Sequence, residues 1–143
     1  MDKLADGTLE IVDYKTGKPD KHLKNMSEIC DLASDECDGY FRQLVSYRLL
    51  YEKDKRESMG RKATLGELVF IEPVSEDMVK LGYKKGDYAT KVVEITDGMV
   101  DSLERIIKKS WDDIKLLRFE RLKERDKEKC RQCDFDDMCW GKS

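Results

Sequence analysis

Hydrophobic positions along the chain change period several times, and each period predicts an element. Thr8 to Val12 is rich in β-branched and apolar residues and runs into the turn-prone Thr16-Gly17-Lys18-Pro19-Asp20, which predicts a strand that stops abruptly. From Tyr40 to Lys53 the spacing becomes helical, with Phe41, Leu44, Val45 and Leu49 on one stripe and Asp38-Gly39 as the start. Lys53 to Ala63 is charged, contains Gly60 and reads as a connector. Leu65 to Ile71 is short and mostly apolar, which predicts a strand buried on both faces and closed by Pro73. Strand, helix, strand in that order places it parallel to the first. Residues 74 to 87 read as an exposed loop. Tyr88 to Ile95 alternates as a strand at or near the sheet edge, where Lys91 and Glu94 discourage pairing with other molecules.

After a cap at Thr96-Asp97-Gly98, Met99, Val100, Leu103, Ile106, Ile107, Trp111, Ile114 and Leu117 keep helical spacing, with Trp111 expected in the core. The helix is expected to continue or restart through Phe119-Glu120-Arg121-Leu122. Residues 16 to 38 are polar and predict a loop with a short helical piece at His22 to Leu32. His22, the only histidine, reads as a solvated side chain rather than a ligand. These elements give an α/β fold, a small mixed sheet with helices packed on it.

Composition narrows the class. A chain of 143 residues, 41% of them charged, is most simply one domain with a heavily solvated surface. It has no apolar run of membrane-span length and no basic-then-apolar leader at its N-terminus, so the cytoplasm is the expected compartment and no membrane contact is expected. A net charge of −3 argues against indiscriminate coating of nucleic acid but leaves room for a local basic groove. Arg105 to Arg131 holds eleven Lys or Arg against six Asp or Glu, either as a solvated basic helix or as a phosphate-contacting face.

The five cysteines are an odd number in a chain without secretion signals, which disfavours a disulfide framework. Cys30 and Cys37 read as unrelated reduced thiols. Cys130, Cys133 and Cys139 are packed closely enough to wrap one soft metal centre, zinc or iron-sulfur.

One pair of residues carries candidate catalytic chemistry, and a second pair marks one helical flank. Asp13 and Lys15 share one face of the first strand, with Cα atoms roughly 6–7 Å apart, and Tyr14 faces the other way. Such a pair can hold a hard cation on the carboxylate while the amine positions or deprotonates a water. A strand-end salt bridge is the plain alternative. Gln43 and Tyr47 lie one helical turn apart and can reach the same point in space.

Taken together, Ile-Val-Asp-Tyr-Lys-Thr-Gly-Lys at 11–18, Gln-Leu-Val-Ser-Tyr at 43–47 and Cys130-x2-Cys133-x5-Cys139 resemble the RecB-like branch of the PD-(D/E)XK nuclease superfamily. This branch includes helicase-linked exonucleases and CRISPR-associated nucleases with an iron-sulfur cluster. The resemblance implies a restriction-endonuclease-like fold and hydrolysis of DNA phosphodiesters with magnesium or manganese, in DNA repair or recombination. It implies Asp13 as a metal ligand, aided by the Tyr14 backbone carbonyl, and Lys15 acting on the water. Gln43 and Tyr47 would support substrate or metal, and a helicase subunit or fused helicase domain would be the partner.

In the family, the three tail cysteines join one far upstream to hold a four-iron cluster. Here Cys30 or Cys37 could substitute, the site could be empty, or zinc could take the thiolates. The family also carries another strand, with a further metal-binding aspartate, before the one that holds Asp13. Asp2 resembles the end of that strand, so the chain is expected to be the C-terminal part of such a domain. Residues 1–122 would be an N-terminally truncated nuclease-like core and 123–143 a cysteine-rich tail. Two other classes stay open: a non-catalytic DNA-binding or scaffolding module of a nuclease-helicase system, and a zinc-stapled interaction domain.

Overall fold

The computed structural model describes residues 1–19, 30–34, 37–80 and 82–141. His22 and most of the helical piece expected at His22 to Leu32 lie outside them. Among the described residues the elements are β1 (Asp2–Lys3), β2 (Leu9–Lys15), α1 (Gly39–Lys53), α2 (Lys55–Ser58), β3 (Ala63–Pro73), α3 (Glu76–Val79), β4 (Tyr88–Glu94), α4 (Asp97–Lys115), α5 (Lys127–Cys130) and α6 (Asp136–Trp140). No helix among them is long and apolar enough to cross a membrane. The strands form one mixed sheet in the order β1-β2-β3-β4, the α/β architecture the periodicity predicts.

β1 runs antiparallel to β2, with Asp2 opposite Glu10. The turn between them closes because Asp6 Oδ1 accepts from both the N–H and the hydroxyl of Thr8, at 2.9 and 2.6 Å. Gly7 takes a φ of 86° that disfavours any side chain. β2 and β3 are parallel, with Asp13 opposite Leu68 and Lys15 opposite Phe70. β4 closes the far edge antiparallel to β3.

α1 covers one face of this sheet. Asp38 caps it by accepting from the Tyr40 N–H at 2.8 Å. Phe41, Leu44 and Val45 are fully buried against Leu9, Ile11, Leu68 and Phe70. Burial of each such side chain contributes about 1.5–3 kcal/mol. Gly66 lets the helix come close, because a Cβ there would meet Leu44 Cδ1 and Ile95 Cδ1 at 3.0 Å. Arg48, 1% exposed, pairs with Glu52 one turn along α1 and ties α1 to the start of α4 through the Ile95 carbonyl and Asp97.

Several expectations need correcting. β3 is fully buried on the α1 face alone; on its other face Leu65, Glu67 and Val69 are half-buried and Ile71 is half exposed. The connector at 53–63 and the loop at 74–87 each carry a one-turn helix, α2 and α3, started by Asp54 and Ser75 side-chain caps. Cys30 and Cys37 are not reduced thiols but form a disulfide, with Cα atoms 5.4 Å apart, inside the range that a disulfide spans. The polar sequence around them hid the reason. Leu32 and Cys37 both enter the core, and Arg42 donates to the carbonyls of Leu32 and Ser34, folding the segment back on itself.

The chain divides into two compact units, 1–107 and 108–143, with the boundary inside α4. In the first, Val100 and Leu103 of α4 are buried, and the Thr96 hydroxyl caps the helix by accepting from the Met99 N–H at 3.3 Å. In the second, Trp111 is 60% exposed and is not a core residue. Nor does the helix extend through 119–122. It ends in a Schellman-type cap, with Leu117 at φ 52°, Arg118 N–H donating to the Asp113 carbonyl at 2.8 Å and Leu117 N–H to the Ile114 carbonyl at 3.1 Å. Beyond it, charges on both faces leave no apolar stripe to support another turn. The tail is tied by Arg125 paired with Asp136 and by Arg121, which donates to the Cys139 carbonyl at 2.7 Å and lies over the Trp140 ring.

Candidate active site

β2 alternates faces, so Leu9 and Ile11 enter the core under α1, and Asp13 and Lys15 follow them on that face at the end of the strand. Tyr14 points the other way and is 68% exposed. The site therefore continues the buried face into a polar rim, at the carboxyl end of parallel strands where α/β folds place their ligands.

Asp13 and Lys15 side chains are 15% and 12% exposed, with Lys15 Nζ 2.7 Å from Asp13 Oδ2. The contact is an ion pair, and Asp13 Oδ2 is buried with no further hydrogen-bond partner among the described residues. Lys15 Nζ donates to Gln43 Oε1, and Gln43 Nε2 donates to Tyr47 OH at 2.8 Å. Asp13, Lys15, Gln43 and Tyr47 thus form one polar chain from β2 to α1, ending at a hydroxyl on a residue 37% exposed. The four residues singled out from the sequence come together.

Tyr40 joins them and was not singled out. Its ring lies under Lys15 Nζ, 4.1 Å from nitrogen to centroid. The signal was present in the spacing, since Tyr40, Gln43 and Tyr47 fall at i, i+3 and i+7 on one helical face.

A buried carboxylate oxygen whose one close partner among the described residues is the Lys15 ammonium keeps lone pairs for a hard cation. Magnesium is usually held by one or two carboxylates, with waters and substrate phosphates completing its shell, so Asp13 fits that role. No three His, Cys, Asp or Glu among the described residues gather as a metal-holding group. That applies to the tail as well, where Cys130 is buried, Cys133 exposed and Cys139 intermediate, all three as free thiols.

Residues 2–140 match the model of the PD-(D/E)XK nuclease superfamily, and the chain belongs to that superfamily. The mixed four-stranded sheet with flanking helices agrees with its restriction-endonuclease-like fold. Searches of curated proteins and of solved structures each found no match.

Proposed function

We propose that this chain is a RecB-like nuclease domain that hydrolyses DNA phosphodiesters, with Asp13, Lys15, Gln43 and Tyr47 as its working residues. The observation that carries the reading is the polar chain from Asp13 to Tyr47 at the end of β2, with a buried carboxylate oxygen facing the Lys15 ammonium at its inner end. Asp13 and the Tyr14 carbonyl would hold magnesium or manganese. When bound, that cation supplies Lewis-acid stabilisation of the charge that builds on phosphate. Lys15 presents an ammonium donor to the attacking water or a phosphate oxygen, aimed by its bond to Gln43. Gln43 fixes the direction of the Tyr47 hydroxyl, the outermost donor of the chain and the one placed to meet substrate.

Cleavage of labelled DNA with magnesium or manganese tests this. Asp13→Asn and Lys15→Ala are each expected to lower kcat by roughly a hundredfold or more while the chain still folds. Cleavage at the wild-type rate by either variant overturns the assignment.

The cysteine tail, 123–143, belongs to the same proposal as a separate segment that holds an iron-sulfur cluster, on the strength of the Cys130, Cys133 and Cys139 spacing. An exonuclease role in DNA repair, a cytoplasmic setting and a helicase partner follow from the RecB-like resemblance. A second reading, a non-catalytic DNA-binding or scaffolding module, is favoured by one observation: Asp13 is the only carboxylate in the polar chain. DNA binding without metal-dependent cleavage by the wild-type chain is the result that selects it.

A further inference from the structure

Lys15 has a third contact that its two polar partners do not explain. Its ammonium nitrogen stands 4.1 Å above the Tyr40 ring while it pairs with Asp13 and donates to Gln43. Its helix position and a ring contact both bear on where the ring lies. The Tyr40 N–H donates to the Asp38 cap at 2.8 Å, which locks the first turn of α1. Its face tilts at 51° against Phe70, which is fully buried, with centroids 6.3 Å apart. Phe70 is also the residue opposite Lys15 in the β2–β3 register. The strand pair that presents the lysine thus also supplies the wall behind the aromatic.

On the nuclease reading above, we propose that Tyr40 is a positioning residue for the reaction, its ring holding the Lys15 ammonium against Asp13 and Gln43. A lysine is a point charge on a flexible four-carbon stem. At a strand end with only hydrogen-bond partners it exchanges them readily for water. A ring face under the nitrogen attracts the cation and excludes water from one side, so the remaining donors point at the carboxylate, the amide and the approaching substrate. The contact with Lys15 is made by the ring face. Phenylalanine should therefore replace the residue, and leucine should not.

The test uses the full chain, with lysine ε-carbons labelled for NMR and the Lys15 signal assigned by its loss in Lys15→Arg. In the wild type, the ring current of Tyr40 should displace that signal upfield of the solvated lysines. Tyr40→Phe should keep the displacement and Tyr40→Leu should abolish it. In magnesium-dependent DNA cleavage, Tyr40→Phe should stay within about twofold of wild type. Tyr40→Leu should lose about tenfold in kcat, or roughly 1.4 kcal/mol, with KM unchanged.

A wild-type Lys15 signal among those of the solvated lysines overturns the proposal whether or not the leucine variant folds. So does full activity in Tyr40→Leu, or a loss in Tyr40→Phe as large as in Tyr40→Leu. If the wild-type chain cuts no DNA but the Lys15 signal is displaced and moves with Tyr40→Leu, the nuclease reading falls and the anchoring of Lys15 by Tyr40 stands.

Discussion

In residues 1–107, Asp13, Lys15, Gln43 and Tyr47 stand on a strand and a helix whose other side chains fill the core. In residues 108–143, Cys130, Cys133 and Cys139 stand in and between two helices of four and five residues, and Leu117, Phe119, Phe135 and Met138 of the same region are exposed. The first region fixes side-chain positions through packing, so a polar site can be read from which face each residue must take. The second carries its motif as spacing along the chain, held by Arg125 with Asp136 and by Arg121 on Trp140. A motif set by spacing alone leaves open where its thiols meet. Burial on one side of an element determines what the other side presents.

The sharpest test of that contrast is to remove one large apolar residue from each region. Phe41→Ala empties a fully buried site and should destabilise the first region by about 3–5 kcal/mol in denaturant unfolding. Trp111→Ala, at a site 60% exposed, should cost within about 0.5 kcal/mol. A Trp111 variant as damaging as the Phe41 one would mean that the second region has a core around that ring, and the contrast would collapse.

A smaller effect is expected from the tail thiols. If the tail takes up an iron-sulfur cluster, protein purified without oxygen should contain iron and sulfide and show broad visible absorption. Cys133→Ser should remove that absorption yet leave the unfolding midpoint of residues 1–107 in place, because the thiol lies outside that core. Stoichiometric zinc without iron would replace the cluster by a zinc staple. A matching fall in the stability of the first region would show that the two regions are energetically joined.

Most of the first region was legible because its periods are clean. Alternation in β2 and β4 and the helical stripe of α1 give those elements, their order gives the parallel direction of β2 and β3, and alternation gives the common face of Asp13 and Lys15. What could not be read depended on contacts between distant segments. Arg48 looks like a surface charge in sequence, yet it is buried because Ile95 and Asp97 arrive from another element to pair with it. The Cys30–Cys37 bridge was hidden by polar neighbours, and the contact of Tyr40 with Lys15 depends on a strand and a helix meeting across 25 residues of chain. The stripe of α4 was over-read: Trp111 and Ile114 keep the right spacing, but periodicity shows which side of a helix is apolar without showing what covers it.

The smallest expected effect sharpens the same lesson within the first region, between the two faces of its sheet. Glu10 lies on the face opposite α1, with Asp2 beside it on β1 and Glu67 on β3. Partial burial, then repulsion from Glu67 and Asp2, pushes its carboxyl above its ordinary value of about 4.5. An acid raised on folding binds its proton more tightly in the native state, so stability falls as pH climbs from the ordinary value through the raised one. The ionised group then opposes folding at neutral pH. Asp97 behaves oppositely. Hydrogen bonds from Lys62 and then Arg48 lower its carboxyl, so its contribution is present at neutral pH and is lost as pH falls through the lowered value. Glu10→Gln should therefore raise the melting temperature at pH 7 by about 1–3 °C, with the gain shrinking to nothing below the ordinary glutamate range. Asp97→Asn should lower it at pH 7, with that loss fading in acid. Equal melting of Glu10→Gln and wild type at pH 7, or a gain that persists in acid, would show that the open face does not strain its acids. The strain on Glu10 would then be relieved by solvent, and the two faces would differ in packing alone.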